Sequence, residues 1–367
     1  MKVFVINSGS SSIKYQLIDM PAGQVICSGL AEKIGLANAE ITHKVFTENT
    51  ENVCSFVIPL PDHETAMQEI EKLLIAPHTG VIRDPAEIEI VGHRVVHGGE
   101  TFSSTTLITE AVKEEIKRLF PLAPLHNPGH YAGIGVAKKL FPAARQIAVF
   151  DTAFHQTMPE KAFRYAIPEK YYRQEGIRAY GFHGISHQYV SRKAAEYLQN
   201  PDAKIISIHL GNGCSIAAIL GGKCMDTSMG FTPLDGLIMG SRSGAIDASV
   251  LIYLMDKSGL SAQKLSLMLN KESGMAGLTG HSDMRDVTRG YQEGDQKAIL
   301  ALEMYAYRVQ KYLGAYAAVL NGIDAIVFTA GVGENDQLTR KLICQNMNFL
   351  GIRLDEKKNK VNTGGIR

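Results

Sequence analysis

VINSGSSSIK, residues 5–14, is the stretch on which the reading of the fold depends. Apolar, β-forming residues from Val3 run into Asn7, Ser8, Gly9 and three further serines, and Lys14 follows as β-type residues resume. Such a strand can end in an ordinary hairpin turn, or in a loop whose amides and hydroxyls hold an anion. A second stretch bears on the choice. "GSSSI" from Gly9 to Ile13 resembles "NGCSI" from Asn212 to Ile216, and each follows an apolar strand and precedes a β-rich one. A strand–loop–strand unit that occurs twice, once near the start of each half, predicts duplication: two similar domains facing one another, with ligands in the cleft between them.

Length agrees with that division, because 367 residues exceed one ordinary core. A hydrophobic fraction of 45% and a charged fraction of 20% are those of a globular protein. The net charge of +1 gives no electrostatic case for nucleic acid or a membrane surface as partner. No signal peptide is legible, and no apolar window reaches the roughly 20 residues of a membrane helix. The five cysteines are scattered without a CxxC pair, which argues against a disulfide scaffold or zinc site and for a reducing, cytoplasmic setting.

Four segments outside the first hairpin share one grammar, a short apolar strand that ends in a polar or glycine-bearing loop: "EIEIVGHRVVHGG", "RQIAVFDTAFH", "AKIISIHLGNGCS" and "DAIVFTAGVGEN". Helical spacing of Met67, Ile70, Leu73 and Leu74 behind Asp62 predicts a capped helix. Further helices are expected over 186–199, 247–257 and about 296–320. Strands alternating with helices predict sheets covered by helices, an α/β class.

Neither GxxxxGK[ST] nor GxGxxG occurs, so neither standard nucleotide fingerprint applies. Three loops remain that could hold phosphate: "NSGSSSIK", "HLGNGCS" and "AGVGEN". Their glycines allow close backbone approach to an anion, or answer a tight turn that needs φ > 0. Arg94 follows a buried-looking strand, and Arg242 lies among glycines before a helix expected at Asp247. Each suits a bidentate grip on phosphate or carboxylate, and each alone also suits a surface ion pair. Asp151 ends an apolar strand where an open α/β sheet presents residues to ligand. His183 and His126 stand on glycine- and proline-flanked loops, and His187 reads as structural. The absence of HExxH and GxSxG disfavours metalloprotease and α/β-hydrolase chemistry. Hydroxyls, glycines, arginines, histidines and a lone aspartate are instead the equipment of phosphoryl transfer.

Taken together, these motifs resemble the acetate kinase family. "VFVINSGSSSIK", "VGHRVVHGGE", "PLAPLHNPG", "VFDTAFHQTMP", "GIRAYGFHGISH", "HLGNGCS", "MGSRSGAID" and "FTAGVGEN" occur in the family's order, from residue 3 to about 335. The resemblance implies two duplicated actin-like ATPase (ribonuclease H-like) domains around a central cleft, here 1–151 and 152–367. It implies reversible transfer of phosphoryl from ATP to acetate, giving acetyl phosphate and ADP, with Mg²⁺ or Mn²⁺, in a homodimer. Asn7, Ser10, Ser12 and Lys14 match the first phosphate loop, with Asn7 also toward the metal. Arg94 and Arg242 match the arginine pair on carboxylate and phosphoryl oxygens, and His183 the histidine on the transferring group. His126 matches a supporting phosphate contact, and Asp151 an aspartate acting through magnesium. His209, Gly211, Asn212 and Gly213 match the second phosphate loop. Asp283, Arg285, Gly331, Gly333 and Asn335 match positions around the nucleotide. Val96, Leu125, Phe182 and Pro233 match the apolar pocket for the acetate methyl. In that resemblance valine at 96 favours acetate over propionate without excluding it.

Departures are few. Ile185 stands where the family usually has threonine, and the "GHSDMRD" loop reads as one residue short. The family also continues past Arg367 through a strand and a closing helix that carries a magnesium-linked glutamate, for which this chain has no match. Three readings therefore stand beside one another: an acetate kinase, a propionate or other short-chain acyl kinase, and an ATP-binding paralogue without transferase activity.

Overall fold

The computed structural model describes residues 1–9, 11–48, 50–124 and 126–361. The chain divides into two compact units, Met1–Ala153 and Phe154–Arg367.

In the first unit the opening hairpin forms as expected, from β1 (Lys2–Ser8) and β2 (Ser12–Asp19). Alternation of Phe4, Ile6 and Ile13, Tyr15, Leu17 buries one face of the pair. β3 (Gln24–Glu32), β4 (Glu40–Phe46) and β5 (Glu51–Val57) extend it as an antiparallel meander. β6 (Ile88–Val95), the two-residue β7 (Thr106–Leu107) and β8 (Arg145–Phe150) complete the sheet in the order β5-β4-β3-β2-β1-β6-β8-β7. β1, β6 and β8 run parallel and side by side. Helices His63–Ile75 and Asn127–Leu140 cover the sheet; Asp62 caps the first by accepting from the Thr65 amide.

The second unit repeats the scheme. β9 (Lys204–Leu210), β10 (Cys214–Leu220), β11 (Lys223–Thr227) and β12 (Ala325–Thr329) lie in the order β11-β10-β9-β12. β9 pairs antiparallel with β10 and parallel with β12, as β1 pairs with β2 and β6. The two resembling loops occupy the same place, closing the β1–β2 and β9–β10 hairpins with Ser8 opposite Ile13 and Leu210 opposite Cys214. Helix Gly184–Leu198 begins two residues before the expected start, and Ala248–Ser258 begins one residue after its expected start at Asp247, which caps it. Gln296–Leu320 buries one long apolar face.

One expected loop is a helix. Residues Ala330–Asn335 of "AGVGEN" turn helical at the end of β12, because the Glu334 carboxylate reaches back to accept from the Ala330 amide and the Thr329 hydroxyl.

Candidate active site

The parallel strands of the first unit bring three of the expected residues together. Asn7, Arg94 and Asp151 sit at or just beyond the C-terminal ends of β1, β6 and β8, the edge at which parallel sheets present ligand-binding groups. Arg94 Nε donates to both Asp151 oxygens at 3.1 Å, and Nη2 donates to Oδ2 at 2.5 Å. Its Nη1 donates to Asn7 Oδ1 at 3.2 Å. Asp151 is 2% exposed, and its charge lifts the Arg94 pKa above the ordinary value. A guanidinium has five N–H donors, so two on the outer nitrogens stay available after these bonds.

The first loop is held from behind. The Gly9 amide donates to the Ser12 carbonyl at 2.7 Å, and the Gly9 carbonyl accepts from His63 Nε2 at 2.7 Å. Lys14 is exposed on β2 opposite Asn7. Ser10 lies outside the described residues. His126 is the residue before helix Asn127–Leu140. Next to it, Asn127 donates to the His97 carbonyl at 3.0 Å and accepts from the His97 amide at 3.2 Å, which pins the strap after Arg94. Val96, on that strap, is buried, while Leu125 lies outside the described residues. His130 was not foreseen. It is 4% exposed, neither ring nitrogen has a hydrogen-bond partner among the described residues, and burial, aided by Arg94, pulls its pKa to about 3.

In the second unit His183 and Arg242 approach one spot. His183 precedes helix Gly184–Leu198 in the left-handed region, φ 58°, a conformation that persists in a non-glycine only where surroundings enforce it. The enforcement is visible: His155 Nε2 meets the Phe182 carbonyl at 3.0 Å, and the His183 ring stacks on His209 at 4.1 Å. A methyl built on Gly213 would lie 3.5 Å from His183 Cε1, 3.6 Å from Nε2 and 3.7 Å from Arg242 Nη1. Gly213 is not in the positive-φ region, so its lack of a side chain serves space rather than backbone geometry. Arg242 Nη1 donates to the Pro233 carbonyl at 3.2 Å and reaches Met239 Sδ at 3.9 Å. Among the described residues no carboxylate pairs with it, and desolvation lowers its pKa.

The second loop is braced by its neighbours. The Gly211 amide donates to the Gly213 carbonyl, and the Gly240 amide to the Asn212 carbonyl. Gly240 must be glycine, since a Cβ there would lie 2.1 Å from Asn212 Oδ1 and 2.8 Å from the Ser282 carbonyl. Ser282 brings Asp283 to the same region, where it caps helix Met284–Glu293 and pairs with exposed Arg285, whose side-chain and backbone hydrogen bonds hold its pKa at about 2. At the end of β12, beside β9, Asn335 donates to the Gly331 carbonyl, and the Gly333 carbonyl accepts from Arg340.

Among the described residues no three His, Cys, Asp or Glu side chains form a metal-binding group. Asn7 and Asp151 are the oxygen donors beside Arg94, and that sparse set fits Mg²⁺, which takes one or two protein oxygens and completes its shell with water and phosphate. Sequence reasoning also missed Ser207 and Ser215, which link the histidines. Their signal was a hydroxyl inside the otherwise apolar runs "KIISIHL" and "CSIAAIL".

The acetokinase family model matches residues 2–367. The chain belongs to the acetokinase family. It is 52% identical to an acetate kinase of Flavobacterium johnsoniae over 367 residues, covering 100% of this chain and 92% of that one. It is 53% identical to an acetate kinase of Thermotoga maritima over 366 residues, 98% of this chain and 89% of the relative. Its structure superposes on the crystal structure of Porphyromonas gingivalis acetate kinase with a TM-score of 0.92 at 46% identity, covering 99% and 91% of the two chains. A propionate kinase of Francisella tularensis matches equally well, with a TM-score of 0.92 at 43% identity over 98% and 91% of the chains. The two-sheet α/β architecture is thus the acetokinase fold. No helix among the described residues is long and apolar enough to cross a membrane.

Proposed function

We propose that this acetokinase transfers the γ-phosphoryl group of ATP to acetate, reversibly, by direct in-line attack. The observation that carries the reading is Arg242, a part-buried guanidinium that among the described residues is held only by a carbonyl and a thioether, beside the His183 ring. A desolvated cation without a counter-ion is complementary to an anion that arrives with substrate. An acetate oxygen forms the new P–O bond as the bond to the β-phosphate bridging oxygen breaks and ADP leaves with its electron pair. Arg94, Arg242 and His183 stabilise the charge on the equatorial oxygens, and Asp151 keeps Arg94 aligned. Asn7 and Asp151 would hold Mg²⁺ or Mn²⁺, which when bound neutralises phosphate charge. Lys14, Ser12, His126 and the Gly211–Gly213 loop serve as phosphate contacts; Asp283, Arg285 and residues 331–335 lie toward the nucleotide. Trapping acetyl phosphate as the hydroxamate tests the reading: ATP- and acetate-dependent product is expected, and its absence in the folded protein refutes it.

The likeness to a propionate kinase favours one second reading, a broader acyl kinase. An added methylene changes binding in an apolar pocket by only ~1–3 kcal/mol. Buried Val96 supports acetate as the better substrate, and the ratio of kcat/KM for acetate to that for propionate decides the point. A homodimer is supported by helix Ala248–Ser258, which buries none of its residues and exposes Ile252, Tyr253 and Met255. Light scattering after gel filtration measures it directly.

A further inference from the structure

The reaction asks the His183 ring for a hydrogen-bond donor. A neutral imidazole has one donor and one acceptor, and its neighbours decide which nitrogen is which. Here the hydrogens can be counted from the far end of a chain of contacts. Ser207, wholly buried on β9, has one side-chain partner among the described residues, His187 Nδ1 at 2.9 Å. A hydrogen on that nitrogen would make Ser207 the acceptor and leave its own O–H buried without one, an arrangement protein interiors avoid. Ser207 therefore donates. Burial, with His155 and His209 adding to it, holds His187 neutral, so its single hydrogen is on Nε2. That N–H meets Ser215 Oγ at 2.7 Å. Ser215 accepts it, and its own hydrogen goes to its other partner, His183 Nδ1 at 2.9 Å.

We propose that Ser207, His187 and Ser215 form a directed relay that fixes His183 as the Nε2–H tautomer, a neutral donor facing the second phosphate loop. The inference rests on the active-site reading of His183, and the three relay members are positioning residues. The relay also opposes protonation of His183. A hydrogen on Nδ1 would face a hydroxyl that already accepts from His187, and the Ser215 hydrogen would lose its acceptor. Among the described residues, further groups lie beside the ring. Arg242 adds positive charge across Gly213, and His209 stacks on the ring while its Nδ1 engages Ser186 Oγ at 2.9 Å. His155 packs 5.9 Å from His187. A donor without charge lets His183 stand beside Arg242 with no like-charge repulsion.

Nitrogen-15 spectra of histidine-labelled protein test this without reference to turnover. The ring assigned by its loss in His183→Asn is expected to carry its hydrogen on Nε2 and to stay neutral from about pH 5 to pH 8, where a free imidazole titrates. In Ser215→Ala the same ring becomes a tautomer mixture and takes up a proton inside that window. Its kcat falls roughly two- to tenfold, the scale of one neutral hydrogen bond, with KM for ATP little changed. Ser207→Ala shifts the spectrum in the same direction, less far. A wild-type ring with hydrogen on Nδ1 or a positive charge at neutral pH overturns the relay, as does an unaltered ring in Ser215→Ala. Full turnover in His183→Ala would overturn the active-site reading instead, leaving the relay intact.

Discussion

In the first unit Arg94 lies against the Asp151 carboxylate at 2.5 Å, whereas in the second Arg242, among the described residues, reaches only a carbonyl and a sulfur. Arg94 lies on β6, bonded to Asn7 of the first hairpin, and Arg242 lies in the chain after β11, beside Gly213 of the second hairpin. Among the described residues, the arginine of the first unit is thus electrically balanced, and that of the second is not. A balanced pair contributes to stability and keeps its remaining donors aimed. An unbalanced cation is a standing cost that an anion removes. The two units share one strand scheme and carry their arginines in different electrical settings.

The sharpest break of that contrast comes from removing each arginine. Turnover in Arg94→Ala and Arg242→Ala should fall by roughly 10³–10⁵, far more than ATP affinity changes. Stability should separate them. Arg94→Ala strands a buried carboxylate and should cost about 3 kcal/mol in denaturant titrations, whereas Arg242→Ala should cost little. Equal losses would end the distinction between the two arginines. Next in size, Gly213→Ala should lower kcat roughly 10²-fold by occupying the space His183 and Arg242 face, while its melting temperature stays near that of the parent. Inorganic phosphate should stabilise the parent by ~2.7 kcal/mol at a hundred times its dissociation constant. Calorimetry of Arg242→Ala should show most of that gain gone.

The smallest effects concern pH. His130 falls from 6.5 to about 3 and His93 and His97 to about 4, because burial disfavours their charged forms. Folded values below the unfolded one mean that stability is full above about pH 6.5 and is lost as pH falls toward 4. His130→Leu, which removes two unpartnered nitrogens, should leave the melting temperature at neutral pH unchanged or higher and flatten the acid decline. Asp226 in the second unit moves the opposite way, pushed by burial from 3.8 up to about 6. Its folded form keeps the proton longer, so stability at neutral pH is reduced and is regained as pH falls through 6. Asp226→Asn should raise the melting temperature at neutral pH and have no effect below about pH 4.

Local features were legible in the sequence because they are set by neighbours. The Asp62 cap, the long helix at 296–320, the first hairpin and the echo of its loop at 212–216 all appear as read, and the helix expected at Asp247 starts one residue later. Partnerships across long separations were not. Nothing near Arg94 announces Asp151, 57 residues on, and nothing near His187 announces Ser215. The helix at 330–335 was hidden because its glycines suggested a loop, while the decisive Glu334 acts through a backward reach that composition does not reveal. The meander β3–β5 escaped for a related reason, since β5 is exposed along most of its length and lacks a buried alternation.

Helix Asn127–Leu140 meets strand β1 with almost nothing between them: a methyl placed on Gly133 would sit 3.3 Å from Ser8, and one on Gly129 3.9 Å from the Gly9 carbonyl. Most helix–sheet spacings drift as core side chains are exchanged for larger or smaller ones over generations. A helix glycine seated directly on the Cβ and Oγ of Ser8 leaves no large side chain there to act as such a shim. The interval between His126 at the helix head and Asn7 at the strand end is therefore insulated from drift in the surrounding core, so a dimension of the proposed site can outlast the sequence that surrounds it.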